Sequence, residues 1–153
     1  MSRKKPSYQV LRSIRSDAKS ELLRLEKILS DTETQQLLDK FKNKFNLCES
    51  VYKTVLTEYQ VLNGKKVDKH PKITMSQVPY ALAFAGYSFE HGLLNELFGS
   101  KSQKGTTAKK LRDAVTHGVN EKAVKEIMLR KDELFGYMNS FLHIIRTFDD
   151  NAA

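Results

Sequence analysis

Apolar residues recur every three or four positions along most of the chain, which is the spacing of one face of an α-helix. The first stripe predicts an amphipathic helix over about residues 8–29, with Ser7 as its N-terminal cap. A second stripe of some thirty residues predicts a long helix over 32–62, and Thr32 with Gln35 matches a capping box at its start.

Two more stripes follow in the second half of the chain. They predict a third helix between Ser76 and Gly99 and a last helix that is capped by Asn120 and runs to about residue 148. A short helix lies between them and ends near Gly118. No alternating strand pattern competes, so the chain is predicted to be all-α, an up-down bundle of four long helices plus one short helix.

A length of 153 residues fits a single domain with a sizeable core. We expect that domain over residues 7–148, after a flexible basic tail at 1–6 and before a frayed C-terminus at 149–153. The basic tail has no apolar segment behind it, as a signal peptide would, and no apolar run reaches the roughly 18 residues that span a bilayer. The single cysteine, Cys48, excludes an intrachain disulfide and falls on the apolar stripe of the second helix, which predicts a buried structural thiol. The expected compartment is therefore the cytoplasm.

Basic residues outnumber acidic ones by 26 to 18, which gives a formal net charge of +8. This excess points to a polyanionic partner, with nucleic acid the leading candidate, although a basic, well-solvated surface is the simpler alternative. The charge is clustered rather than spread. Between Leu97 and Arg112 the chain holds no acid and five basic residues: Lys101, Lys104, Lys109, Lys110 and Arg112.

Arg112 and His117 stand in the short helix, directly before Gly118. Arginine can bind a phosphate bidentately, and histidine is the side chain that titrates near neutral pH, so the pair suggests phosphate-ester chemistry. Five residues on an ideal helix rotate through about 500°, which leaves the two side chains roughly 140° apart. They can face one ligand only if the helix bends or ends near His117, and Gly118 permits such a break. Otherwise Arg112 is a plain phosphate contact and His117 a helix-ending residue.

Arg112-Asp113-x-x-x-His117 resembles the Arg-polar-x-x-x-His motif of the HEPN superfamily, whose members are small all-α proteins and often metal-independent ribonucleases. The likeness extends to the position of the motif before the last long helix and to a helical bundle of about this length. One position departs from the pattern. Members paired with an antitoxin nucleotidyltransferase often carry Tyr two positions after the His, and Val119 stands there in this chain.

The resemblance implies an endoribonuclease that needs no metal or other cofactor and cleaves RNA by attack of the 2′-hydroxyl on the adjacent phosphate. His117 would act as general base or acid and Arg112 would bind the scissile phosphate. Asp113 would orient Arg112 or the substrate, and Thr116 would add a hydrogen bond. Glu90 is a further supporting candidate, although a solvated edge or a satisfied hydrogen bond explains it better. The residues implied to hold flanking phosphates are Lys101, Lys104, Lys109 and Lys110.

RNA is the implied substrate and a homodimer the expected assembly. In-line cleavage profits from both a base and an acid, while the motif supplies one His117 per chain, so two motifs in one cleft would complete the site. An antitoxin or activator protein is a possible further partner. The alternative is a non-catalytic helical module that binds nucleic acid or protein, and a third reading is a bundle whose apolar stripes serve assembly in a larger complex.

Overall fold

The computed structural model describes residues 7–62, 64, 78–90, 92–100, 102 and 105–148, and the regular structure within these ranges is α-helical. The helices in chain order are α1 (Tyr8–Ser30), α2 (Thr32–Leu62), α3 (Val78–Phe84), α4 (Leu93–Phe98), α5 (Ala108–Thr116), α6 (Glu121–Leu129) and α7 (Lys131–Thr147). The prediction of an all-α chain is confirmed. In the described ranges, no helix has the length and apolar character needed to cross a membrane.

The chain forms two compact units, Met1–Leu37 and Leu38–Ala153. The first contains α1 and the first turns of α2. Ser7 caps α1 as predicted, since its hydroxyl accepts a hydrogen bond from the Val10 amide at 3.3 Å. The predicted capping box at α2 is wrong: Asp31 is the capping residue, and its carboxylate accepts from the Glu33 amide at 3.1 Å. The domain boundaries at 7 and 148 stay a prediction.

The second unit is built around the buried stripe of α2 and the aromatic rings that meet it. The buried residues of this stripe are Leu38, Phe41, Phe45, Cys48, Tyr52 and Leu56. Phe98 at the end of α4 lies at the centre of the core. Its ring stacks on Tyr52 with centroids 4.8 Å apart and meets Phe45 at 5.7 Å and Phe141 of α7 at 5.6 Å.

Cys48 confirms the prediction of a buried thiol. Its side chain is fully buried, and Sγ lies 3.8 Å from the carbonyl oxygen of Met138. Burial raises the pKa of the thiol to about 12, so Cys48 is a small apolar core residue and not a nucleophile.

The predicted third helix is wrong as a single element, because the chain divides it into α3 and α4. Gly86 (φ 95°) and Gly92 (φ 86°) adopt left-handed conformations at the two ends of the intervening segment. Within it, the Phe89 ring stacks on Phe141 at 5.2 Å and the Tyr87 ring packs on Phe148 at 5.0 Å. The segment is therefore apolar enough to continue the stripe although it is not helical.

The predicted last helix is likewise divided, into α6 and α7, at Arg130. The side chain of Arg130 donates to Glu126 at 2.6 Å, to the carbonyl oxygen of Thr106 at 2.8 Å and to Glu133 at 3.3 Å. These hydrogen bonds connect the bend between α6 and α7 to Thr106, which lies in the segment before α5. The predicted four long helices and one short helix are thus corrected to seven helices in the described residues, and the up-down packing order stays a prediction.

Candidate functional site at the end of helix α5

Helix α5 carries the Arg-x4-His motif and is anchored at its start. Thr107 is fully buried and its hydroxyl donates to the carbonyl oxygen of Gly99 at 2.8 Å. The Thr107 hydroxyl oxygen also accepts a hydrogen bond from the Lys110 amide at 3.4 Å. Ala108 and Leu111 are buried and fix the inner face of the helix. The outer face is therefore held in a defined direction.

Helix α5 ends at the position where the sequence predicts a break, directly before His117. Thr116 is its last residue and His117 its C-terminal cap, whose amide donates to the carbonyl oxygen of Asp113 at 3.2 Å. Gly118 follows with φ 151°, a conformation that favours glycine, and α6 begins at Glu121. The predicted break at this point is confirmed, and His117 is exposed at it.

The guanidinium of Arg112 lies against α2, and each of its three nitrogens donates a hydrogen bond. It makes two hydrogen bonds with the Glu49 carboxylate, Nη2 to Oε2 at 2.9 Å and Nη1 to Oε1 at 3.2 Å. Nη1 also donates to Asn46 Oδ1 at 2.6 Å, and Nε donates to Asp113 Oδ1 at 2.8 Å. The cation lies 4.7 Å from the ring centroid of Phe45. The Arg112 and Glu49 side chains are each only 13% exposed.

This geometry stabilises both charged forms. Burial opposes ionisation of Glu49, but the hydrogen bonds from Arg112 outweigh it and lower the pKa of the carboxyl. Burial also opposes the charge on Arg112, and the bonds to Glu49 and Asp113 outweigh it and raise the pKa of the guanidinium. Lys53 lies 3.5 Å from Glu49, so two cations face two carboxylates and the cluster has no net charge.

His117 faces an open cleft of ≈ 590 Å³ on the other side of α5. The residues lining the cleft are Lys110, Asp113, Ala114, His117, Gly118, Val119 and Asn120. The structure therefore brings His117, Asp113 and Lys110 together, whereas the guanidinium of Arg112 points to α2. Asp113 joins the two places, since it lines the cleft and accepts from Arg112.

Of the other predicted site residues that the structure describes, Thr116, Glu90 and Lys109 do not line this cleft. The Thr116 hydroxyl donates to the carbonyl oxygen of Arg112 at 2.7 Å, a bond within the helix. Glu90 is exposed in the segment before α4, and it is not among the carboxylates that pair with Arg112 in the described part of the chain. Lys109 is half-buried and Lys110 exposed. Lys101 and Lys104 lie outside the described residues.

Sequence reasoning missed the α2 partners of Arg112. Phe45 lies on the apolar stripe of α2, but nothing in that stripe indicates that its ring stacks on Arg112. Asn46 and Glu49 stand three positions apart beside the apolar stripe, as other polar residues of α2 do, and they are 66 and 63 positions from Arg112. The one signal in the sequence is that they form a polar pair next to the apolar stripe. Such a pair does not indicate which distant residue it will bind.

A second open cleft, of ≈ 540 Å³, lies between α2 and α7. Its lining residues are Lys44, Leu47, Asn139, Ser140, Leu142, His143 and Arg146, which include basic side chains and no carboxylate. Lys44 is held in place by Asn139 Oδ1 at 2.5 Å and lies 5.6 Å from the ring centroid of Phe135. The cleft is a second place where a phosphate could bind.

No group of three or more histidine, cysteine or carboxylate side chains in the described ranges is arranged to hold a metal ion. In comparisons with known proteins, no family model matches the sequence, no curated protein matches it and no solved structure matches the fold. The candidate site is thus defined by its own residues and by the likeness of its motif.

Proposed function

We propose that the protein is a metal-independent endoribonuclease of the HEPN type, acting in the cleft at the end of α5. The observation that carries the proposal is the helix end at His117, which exposes this side chain beside Asp113 and Lys110 in one open cleft. A histidine next to a cation and a fixed carboxylate is suited to proton transfer at a phosphate ester.

The reaction assigns each residue one task. The 2′-oxygen of the RNA bonds to phosphorus as the bond from phosphorus to the 5′-oxygen breaks, which leaves a cyclic phosphate and a 5′-hydroxyl. His117 takes the proton of the 2′-hydroxyl, and Lys110 attracts the phosphate. Arg112 is bonded to Glu49 and stacked on Phe45, so its task is to position Asp113 rather than to reach the phosphate.

The leaving 5′-oxygen also needs a proton, which a second His117 supplies if two chains pair their clefts about a two-fold axis. The proposal therefore includes a homodimer. In the manner of the family, an antitoxin or activator protein in the cytoplasm would control such an activity.

The test is incubation of the full-length protein with RNA in the presence of EDTA. We expect cyclic-phosphate and 5′-hydroxyl ends, and a loss of cleavage of about 10²-fold or more for His117→Ala. His143→Ala is the matched control, because this exposed histidine lies in the other cleft, and at saturating RNA it should cut as fast as the wild type does. Equal cleavage by wild type and His117→Ala, or complete inhibition by EDTA, would contradict the proposal.

The second candidate function is a non-catalytic helical module that binds nucleic acid or protein. Two observations favour it: the basic cleft between α2 and α7, and the exposed apolar side chains along α1. Salt-sensitive RNA binding without cleavage, equal in wild type and His117→Ala, would select this function.

A further inference from the structure

The cleft between α2 and α7 holds positive charge that no carboxylate balances. Its charged lining residues are Lys44 and Arg146, and neither forms an ion pair within the described part of the chain. Elsewhere in the same unit, cations are paired: Lys53 lies 3.5 Å from Glu49, for example. A concave surface that concentrates one sign of charge attracts a ligand of the opposite sign. The ligand of this cleft is therefore an anion.

Lys44 is held in position before any ligand arrives. Its ammonium donates to Asn139 Oδ1 at 2.5 Å and lies 5.6 Å from the ring centroid of Phe135. A side chain that is already ordered loses less conformational freedom on binding. Asn139 accepts this bond with its oxygen, so its amide nitrogen has two N–H donors that can serve an acceptor on the ligand.

The polar side chains of α7 follow one face of the helix. Asn139, His143 and Arg146 recur at spacings of four and three residues, so they form a row along the cleft. Lys44 lies at the Asn139 end of this row, and Arg146 is seven residues further along, roughly 10 Å down the helix axis. Positive groups spaced along a row suit the successive phosphates of one strand better than a single small ion.

We propose that this cleft binds the phosphate backbone of single-stranded RNA, at a site separate from His117. Contacts to phosphates come from Arg, Lys, Ser and Asn side chains, and the cleft contains one of each: Arg146, Lys44, Ser140 and Asn139. RNA is chosen over an acidic peptide because RNA is the substrate in the proposed function, on which this inference rests.

The two clefts lie on different sides of α2 and α5. Lys44 and Asn46 are two residues apart on α2, a rotation of about 200°, so they lie on opposite flanks of the helix. Arg112 of α5 contacts the Asn46 flank, and the His117 cleft is on the far side of α5. Two helices, each about 10 Å across, therefore separate the clefts. A strand that reaches both is held at α2 and α7 while it is cut at His117, so this cleft contributes to binding and not to the chemical step.

The test compares Lys44→Gln, Arg146→Gln and the double variant with Lys125→Gln. Glutamine removes the charge and is a good helix former. Lys125 is the matched control, because its side chain is 70% exposed on α6 and lines neither cleft. The Kd is measured by fluorescence anisotropy with a labelled single-stranded RNA of about 20 nucleotides, in the His117→Ala background to prevent turnover.

We expect each single variant to raise Kd about fivefold at low salt, and Lys125→Gln to change it by less than about twofold. Each lost phosphate contact should also reduce the slope of log Kd against log salt concentration by about 0.7. In the protein that retains His117, the double variant should raise KM for the same RNA and leave kcat at saturating RNA unchanged.

The proposal is overturned if the double variant binds RNA as Lys125→Gln does. It is also overturned if a polyglutamate peptide of equal charge displaces the RNA at equal concentration, since the cleft would then be a site for acidic peptides. Because Kd is measured without turnover, a wild type that binds RNA here but never cuts it contradicts the proposed function alone. A wild type that cuts RNA, with Kd and KM unaffected in the double variant, contradicts this inference alone.

Discussion

The contact between Arg112 and Glu49 predicts that Arg112 stabilises the fold whatever it contributes to a reaction. Truncation by Arg112→Ala removes two hydrogen bonds from the Glu49 carboxylate and leaves that charge, only 13% exposed, with Lys53 as its remaining cation. It also removes the cation from the face of Phe45. The perturbation therefore leaves a largely buried charge poorly compensated, which is more costly than the loss of a surface ion pair.

The magnitude follows from the degree of burial. Breaking a fully buried ion pair costs about 3–5 kcal/mol, whereas an exposed pair contributes about 0–1 kcal/mol. The Arg112 and Glu49 side chains are each 13% exposed, which is closer to the buried case. We therefore expect Arg112→Ala to lower the free energy of unfolding by about 2–3 kcal/mol. Arg112→Lys keeps the charge but loses the bidentate geometry and the stacking plane, and should cost about 1–2 kcal/mol.

The assay is urea unfolding followed by circular dichroism at pH 7, for Arg112→Ala, Glu49→Ala and the double variant. If the two residues act as a pair, the double variant loses about 2 kcal/mol less than the sum of the two single losses. His117→Ala is the control, because this side chain is exposed and should change the free energy of unfolding by no more than about 0.5 kcal/mol.

Additivity of the two single losses within about 0.5 kcal/mol would refute the reasoning. The pH dependence supplies an independent check. The pKa of Glu49 is lower in the folded chain than in the unfolded chain, where it is about 4.3. The stabilisation is then fully present above pH 4.3 and is lost as the pH falls through the folded pKa. A difference between wild type and Glu49→Gln that grows on acidification would contradict this sign. An Arg112→Ala protein that fails to cut RNA will also have lost stability, so its loss of activity has two possible causes. The His117→Ala variant is therefore the one that tests catalysis.

Three further predictions concern other parts of the second unit. Cys48 should react with a thiol reagent at pH 8 far more slowly in the folded protein than in urea, because burial raises its pKa to about 12; equal rates would contradict its position in the core. Gly118→Ala should lower the free energy of unfolding by about 1 kcal/mol or more, because φ is 151° there, whereas Gly136→Ala, inside α7 with no atom within 4 Å of the added Cβ, should raise it by about 0.5–1 kcal/mol. If the cleft between α2 and α7 binds RNA, Lys44→Glu and Arg146→Glu should each weaken binding at low salt and reduce the salt dependence by about one counterion, and filter binding at several salt concentrations measures both effects.

Local sequence determined the helical character of the chain and several helix ends. The three-four spacing of apolar residues is sufficient for an all-α prediction, because each helix needs one face against the core. Ser7 and Asn120 cap the helices for which sequence named them, since capping involves an amide only three residues away. The break at His117-Gly118 could be predicted for the same reason, as it rests on the conformational freedom of one glycine.

Tertiary structure decided where the long stripes are interrupted and how the Arg112 side chain is used. Apolar spacing continues through Phe89 and across Arg130, because a residue in a loop or a bend can be buried as well as one in a helix. The division of those stripes therefore depended on distant contacts, Phe89 with Phe141 and Arg130 with Thr106. Glu49 is 63 positions from Arg112, and a charge selects its partner by distance in space. The sequence by itself placed Arg112 in the motif, and only the packing of α5 on α2 turned its guanidinium toward Glu49 and away from His117.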